Sequence, residues 1–403
     1  MSEATDAEVV VIGLGVLGSA AAWQLARRGI RVVGLERFRF GHGRGSSHGE
    51  SRNLGMTYHT PEYVALARSV LTDWAVLEGE ARRTLVRRCG GVKIFPEKGA
   101  VDPAPYLHSL EAAGVPFELL DAAQARTRWP ALAVPDGAQV LFHDRAGMVP
   151  GTLSTLTLQD RARAHGARLH ENTEVTGIEE LGDGGANRVR VHTADGRSLD
   201  ARSVVVTVDG WTNRVLASLG VQLPLTVTKE QVAHFAVNGP HWSRSAPERH
   251  APEAFPMWTW MDRASWYGYP THGEASIKVG QEFGGAEVDP DSRDFAPDPA
   301  YVQRMREFVA ELVPGAGELI RVNSCLYTVT PDHDFVLGPV PGHEAVVVGL
   351  GAAHAFKFAP WFGRVLADLA LTGTTSADLT AFSPSRPALA AGAPPPDRSG
   401  RPA

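Results

Sequence analysis

The stretch VVVIGLGVLGSA, Val9 to Ala20, decides how the rest of the chain is read. Its four leading apolar residues, Val9 to Ile12, predict a short strand buried on both faces. Gly13, Gly15 and Gly18 follow in the spacing G-x-G-x-x-G. In that spacing the first glycine permits a tight turn and the second lets the backbone approach a pyrophosphate. The third lets the following helix pack against the strand. Residues 19–28 read as that helix, Gly29 ends it, and residues 30–35 read as a second strand closed by Glu36. A carboxylate 23 residues after Gly13 (36 − 13) can accept hydrogen bonds from a ribose diol and disfavours a 2′-phosphate. The helix N-terminus adds free amide donors and a favourable dipole for the phosphates. The segment therefore predicts a βαβ unit that binds a dinucleotide, and the pattern does not separate FAD from NAD.

Working outward, GHGRGSSHGESR at 41–52 has little to bury and reads as a loop. Residues 61–80 predict a helix with Tyr63, Val70, Leu71, Trp74 and Leu77 facing the core. Residues 91–95 predict a strand, 103–129 two short helices stopped by Pro130, and Pro150 opens a helix ending near Gly166. Strands are expected at 189–193 and 203–208, with the DGR turn at 195–197 between them. MWTWM, SWYGYP and SIKVGQEF within 253–285 predict antiparallel sheet, followed by a helix at 299–311. A buried strand at 345–348 and a helix at about 361–371 close the pattern, and AGAPPPDRSGRPA at 391–403 is expected to be disordered. The two kinds of segment interleave. The expected fold class is α/β, α+β overall: a Rossmann-like FAD-binding domain interleaved with an antiparallel-sheet substrate domain. The first domain takes residues 1–80, 150–212 and 325–384, the second 81–149 and 213–324.

Composition bounds the function. The chain has 403 residues, with 39 Lys plus Arg against 45 Asp plus Glu, a formal charge of −6. That length fits two or three domains, and 43% hydrophobic with 21% charged residues describes a globular chain. A mildly acidic balance is a poor match to generic nucleic-acid binding, and the run Arg82, Arg83, Arg87, Arg88 is too short to change that. Two cysteines, Cys89 and Cys325, exclude a multi-disulfide scaffold and a cysteine-rich metal cluster. The histidines at 42, 48, 59, 333, 343 and 354 lack metal-ligand spacing, so no metal is expected. The polar start and the lack of a long apolar run suggest no targeting or membrane segment, hence a cytoplasmic protein.

Five separated motifs carry a resemblance over nearly the whole chain, from Val9 to about Pro384. They are the opening turn with Glu36, SSHGESR at 46–52 with Tyr58 and PEYV at 61–64, IKVGQEFGG at 277–285, SCLYT at 324–328, and AHAFKF at 353–358. Together they resemble the monomeric sarcosine oxidase and N-methyltryptophan oxidase family of FAD-dependent amine oxidases, within the D-amino-acid oxidase superfamily. The resemblance implies FAD held covalently by a thioether from Cys325, with Gly13, Gly15, Gly18, Glu36, Ser46, Ser51, Arg52 and Lys357 in cofactor contact. Chemistry alone would read a lone buried cysteine as an inert small hydrophobe, and Cys89 is read that way.

The implied reaction oxidises a secondary or cyclic amine, or an N-methyl amino acid, to an imine and passes the electrons to oxygen, giving hydrogen peroxide. The implied partners are a small amine and molecular oxygen, and relatives act as monomers. Lys278 resembles the lysine that reaches the flavin N5 through water and activates oxygen. A strand lysine is ordinarily solvated, but alternation along a strand can aim one charge into a cleft. Arg52 resembles an arginine near the ring, Lys357 a residue that grips a substrate carboxylate, and His354, Tyr327 and Tyr267 residues around the substrate.

Three positions depart from the sarcosine oxidases. Gly55 stands where a second arginine helps bind the carboxylate, which weakens the clamp. Glu282 replaces a histidine four residues after the lysine and would welcome a second amine or a hydroxylated group. Trp258 replaces a smaller pocket residue, so a substrate larger than sarcosine is expected. Two further readings stay open: a dehydrogenase using another electron acceptor, and a flavin-binding protein whose chemistry has decayed.

Overall fold

The computed structural model describes residues 6–182, 188–237 and 247–390. The segment 391–403, expected to be disordered, lies outside the described residues. Val9–Ile12 is the predicted buried strand, and it sits at the centre of a six-stranded sheet. Parallel neighbours flank it: Val32–Leu35 on one side, followed by Arg168–His170, and Ser203–Val206 on the other, followed by His343–Leu350. Val336–Val340 closes the sheet as an antiparallel edge. Near-continuous apolar runs such as VVVI and SVVV fit strands covered on both faces.

The helix Val16–Ala26 follows the glycine turn and packs between the helices Gly151–Ala164 and Ala359–Thr372. Glycine permits that close approach, since a Cβ on Gly363 would lie 2.5 Å from the Ala20 carbonyl oxygen. Gly18 is more constrained still: its Cβ would strike both Thr207 Oγ1 and the Gly13 carbonyl oxygen.

A second sheet of nine strands builds the other half. Its central run is Thr226–Ala236, Ser276–Gln281, Trp266–Tyr269, Met257–Trp260, Gly91–Phe95, Gln139–His143 and Glu118–Asp121. Pairing is antiparallel except between Met257–Trp260 and Gly91–Phe95. Leu319–Val329 pairs along Thr226–Ala236 as one continuous strand. The expected boundary between residues 324 and 325 therefore falls inside a strand of the second sheet. The helix Pro299–Leu312 covers one face of this sheet, where Ile277, Val279, Trp258 and Trp266 meet Tyr301, Met305 and Val309. The other face turns toward the six-stranded sheet and walls a cleft.

Two local expectations are corrected. The DGR turn joins Val189–Thr193 to Ser198–Ala201, not to Ser203–Val206. Ser198–Ala201 is too short and too polar to stand out, whereas Ser203–Val206 is drawn into the parallel sheet by its apolar run. The segment 103–129 also holds a strand, Glu118–Asp121, between its two helices. It is an exposed sheet edge, so it lacks the apolar alternation that marks a strand.

The contact at Gly18 is testable. Gly18→Ala is expected to destabilise the protein by about 1–3 kcal/mol, because the added methyl forces helix and strand apart. A urea midpoint unchanged from the parent would show that the helix does not pack this closely.

Candidate active site

Alternation along the second sheet selects the residues that reach the cleft. Ile277 and Val279 point into the core, so Lys278 between them points the other way. In-register pairing sets Lys278 beside Tyr269, and Gly280 beside Tyr267. Tyr267 in turn sits beside Thr259, and Thr259 beside Lys93. Lys278, Glu282, Tyr267 and Tyr269 line the cleft together with Cys325 and Tyr327 of the strand Leu319–Val329.

The glycine turn forms the opposite end of the same cleft, where Gly13, Gly15, Glu36 and Ser46 line the wall. Gly13 has φ +84° and its Cβ would lie 2.6 Å from the Thr207 carbonyl oxygen, so only glycine fits the turn. A Cβ on Gly15 would crowd Ser47 Oγ at 3.1 Å. Glu36 is buried and accepts from the Leu14 amide at 2.8 Å and the Phe38 amide at 3.0 Å. These bonds aim the carboxylate at the mouth of the turn, with Gln159 and Asp209 nearby on the wall. A bare cradle, a helix N-terminus and a fixed carboxylate suit an adenine dinucleotide with a free ribose diol. The residues present thus fit FAD.

Between the two ends lie the buried Lys278 and the half-buried Arg52. Lys278 Nζ donates to the Ser51 carbonyl oxygen at 2.6 Å and lies 4.5 Å from the centre of the Tyr269 ring. Burial, reinforced by Arg52, holds its ammonium pKa well below the ordinary lysine value. Arg52 donates to the Ser51 and Ser46 carbonyl oxygens, each at 2.9 Å, and faces the Phe356 ring. Ser51 thus contributes its backbone carbonyl, while Ser46 Oγ bonds Asp209 at 2.7 Å. Burial raises the Cys325 thiol pKa, and Arg52 opposes that rise.

The turn after His343–Leu350 carries AHAFKF into the cleft. Ala352 at φ +41° and Ala353 at φ +75° both adopt left-handed backbone, a strained arrangement for residues with a Cβ. The helix Pro61–Ala81 braces this turn: Trp74 Nε1 donates to the Lys357 carbonyl oxygen at 2.7 Å, and Tyr63 packs against His354. His354 Nε2 lies 3.0 Å from the His333 carbonyl oxygen, which fixes the ring as a donor on that side. Burial and the neighbouring Lys357 hold its pKa down at about 3, so the ring is neutral across the working pH range. Lys357 Nζ donates to the buried Tyr58 hydroxyl at 2.6 Å, and burial lowers its pKa to about 7 against the pull of Glu282.

The cleft thus brings together Lys278, Arg52, Cys325, Tyr327, Tyr267, Glu282, His354 and Lys357. Tyr58 stands behind Lys357. Ser51 is likewise absent from the lining, and three more expected residues are placed elsewhere. Trp258 is 1% exposed on the far face of the sheet, packed against Phe308 and the bare Cα of Gly268. Its parity is that of Ile277 and Val279, so it is core and cannot widen or narrow the pocket. Gly55 follows the strand Arg52–Leu54 outside the cleft lining, and a Cβ there would meet Asn53 Oδ1 at 2.7 Å. Gly18 serves helix packing, not cofactor contact. Glu282 does not stand alone as an anion. Burial raises its pKa, while Lys93 and Lys357 lower it.

Sequence reading missed Lys93 and Asp209. Lys93 is the one charge in the buried strand GVKIF, a signal visible before any fold is known. Asp209 follows SVVV at the carboxyl end of a parallel strand, where ligand sites of such sheets cluster. Among the described residues, no helix is long and apolar enough to cross a membrane, and no group of His, Cys, Asp and Glu is arranged to hold a metal ion.

Residues 8–369 match the family model described as DAO, FAD dependent oxidoreductase. The chain is 32% identical over 394 residues to monomeric sarcosine oxidase of Bacillus sp. (strain B-0618), covering 96% of this chain and 97% of that protein. It is 30% identical over 392 residues to N-methyl-L-tryptophan oxidase of Yersinia pestis (strain Pestoides F), covering 94% and 99%. Among solved structures, NikD, an unusual amino acid oxidase essential for nikkomycin biosynthesis, superposes with a TM-score of 0.81 at 26% identity, covering 94% and 97%.

Lys357 gives a pH prediction. Its folded pKa, about 7, lies below the unfolded value of 10.5, so the unfolded chain binds the extra proton between them. Stability therefore rises with pH across that window and carries the full penalty below it. Lys357→Met is expected to flatten the rise and to add roughly 2–5 kcal/mol at pH 7. Denaturant unfolding at stepped pH measures this, and parallel curves for parent and variant would contradict it.

Proposed function

The chain belongs to the DAO family of FAD-dependent oxidoreductases, and from that premise we infer that its cleft oxidises the CH–NH bond of a small amine, with oxygen as acceptor, to an imine and hydrogen peroxide. Both the sequence relatives and the geometry support this reading. The single observation that carries it is the buried ammonium of Lys278, held on the cleft face by Ser51 at 2.6 Å and close to Cys325.

Bound FAD supplies a hydride acceptor for the carbon beside the amine nitrogen and returns the electrons to oxygen. The protein supplies placement and charge. Gly13, Gly15 and Glu36 would hold the dinucleotide end, and Ser46 and Arg52 the loop beside the ring. Cys325 is proposed as the thioether tether: a single thiol on the cleft wall, buried, and under the field of Arg52 and Lys278.

Lys278 and Arg52 would place positive charge beside bound FAD, whose reduction and reaction with oxygen develop negative charge. Such preorganised charge acts strongly in a water-poor site. The same cations disfavour protonation of a bound amine, so the amine keeps the lone pair that helps hydride leave. Lys357, oriented by Tyr58, is proposed to grip a substrate carboxylate. Tyr267, Tyr327 and neutral His354 would shape the space around the amine. With Trp258 removed from the pocket wall, substrate size is set by these residues. A cytoplasmic monomer is the state this reading takes for the enzyme.

A purified sample that releases peroxide with sarcosine, N-methyltryptophan, pipecolate or proline would support the function. A flavin-loaded protein that is reduced by such an amine but reoxidised only by an artificial acceptor would convert the assignment to a dehydrogenase. Cys325→Ala is expected to leave the yellow colour in the supernatant after acid precipitation, and colour retained in the pellet would remove the tether from this residue. Lys278→Met is expected to slow reoxidation by oxygen by about 10²–10³-fold. Stopped-flow absorbance reads that step, and a parental rate would assign oxygen activation to another group.

A further inference from the structure

Lys93 has no assigned role, yet it is 6% exposed in a strand whose other members are glycine or apolar. Pairing places it on the cleft face of the sheet, in one transverse row with Thr259, Tyr267 and Gly280. Its ammonium meets the Met261 sulfur at 3.6 Å and lies 5.1 Å from the centre of the Tyr106 ring. Neither contact cancels a charge.

The field of Glu282 reaches Lys93 and favours its ammonium form against burial. Its Oε2 is buried and has no hydrogen-bond partner among the described residues. Lys357 shares the same field and is tied to the neutral Tyr58 hydroxyl. Glu282 and Lys357 both line the cleft, and Lys93 is buried on the cleft face of the same sheet that carries Tyr267. Unbalanced charge there costs several kcal/mol, so the set favours whatever ligand brings it to neutrality. One carboxylate does so for Lys93, Lys357 and Glu282 taken together.

We propose that Lys93 is a specificity-determining residue that offsets Glu282, leaving Lys357 to receive the substrate's single carboxylate. The site then selects a secondary amino acid whose remainder is uncharged. It rejects one that carries a further ammonium or carboxylate group. This inference rests on the amine-oxidising reading and deepens it. It also revises the expectation that Glu282 welcomes a second amine: seen in isolation Glu282 is an anion, but Lys93 already answers it.

The test uses the flavin-loaded protein and three carboxylates that cannot be oxidised as amines at the α-position: 4-methylpentanoate, 6-aminohexanoate and glutarate. Their dissociation constants are read from the change in the visible flavin spectrum. The parent is expected to bind 4-methylpentanoate best. Lys93→Met is expected to improve 6-aminohexanoate relative to 4-methylpentanoate by about tenfold, and Glu282→Gln to improve glutarate by a similar factor. Lys93→Arg, which keeps the charge, should keep the parental order. Ratios on one preparation are insensitive to a fraction of misfolded protein, and Glu282→Gln decides the matter should Lys93→Met not fold. Ratios within twofold of the parent in both charge-removing variants would overturn the proposal. A protein that ranks the ligands as expected but oxidises no amine would retain this charge set and lose the proposed activity. Amine oxidation with unchanged ratios would do the reverse.

Discussion

Lys278 donates to the Ser51 carbonyl oxygen, a buried contact that ties the second sheet to the glycine-rich loop 41–52. The lysine belongs to the nine-stranded sheet, and the serine to the glycine-rich loop that follows the strand Val32–Leu35. Arg52 uses the same carbonyl and that of Ser46, so one short loop satisfies two cations that the core cannot. A charged donor to a carbonyl oxygen is a strong bond in a site of low dielectric. The loop 41–52 buries little of its own, and these cations supply much of the reason it has one conformation.

Desolvation sets the chemistry of the whole cleft. Lys278, Lys357 and Lys93 all have lowered pKa values because burial disfavours the ammonium form. His354 is neutral for the same reason. On the outer surface, by contrast, arginines pair with acids in water, as in Arg28–Asp368 and Arg126–Asp136. Perturbed groups concentrated in one cleft are what a site tuned for charge development looks like. The left-handed backbone at Ala352 and Ala353 belongs to the same picture, since it turns His354 and Lys357 inward at the expense of local strain.

Several readings from sequence held because they rest on local rules. The glycine spacing, the apolar run before it and the acid after it specify a turn whose geometry is nearly independent of the rest of the chain. Period-two alternation in SIKVGQ likewise separates Lys278 from Ile277 and Val279 without knowledge of the partner strands. Trp258 shows where such rules stop. Its sequence neighbours are aromatic on both sides, so alternation of hydrophobicity cannot say which face is buried under the helix Pro299–Leu312 and which borders the cleft. The short polar strand Ser198–Ala201 and the edge strand Glu118–Asp121 were illegible for a related reason: their conformation comes from pairing, not from residue preference.

By itself, the sequence determined the dinucleotide turn, the mixed α/β architecture, and the motifs that supply the cleft with Lys278, Cys325 and Lys357. The turn and the strand alternation follow from backbone sterics and short-range periodicity, which act over a few residues, whereas the roles of Cys325 and Lys357 came from the resemblance to a known family. Only the tertiary structure decided that Lys93, from a strand 189 residues before Glu282 in the chain (282 − 93), lies buried on the cleft face of the sheet, and that Trp258 serves the core. Charge balance and side-chain facing depend on which distant strands become neighbours, and no local pattern encodes that adjacency.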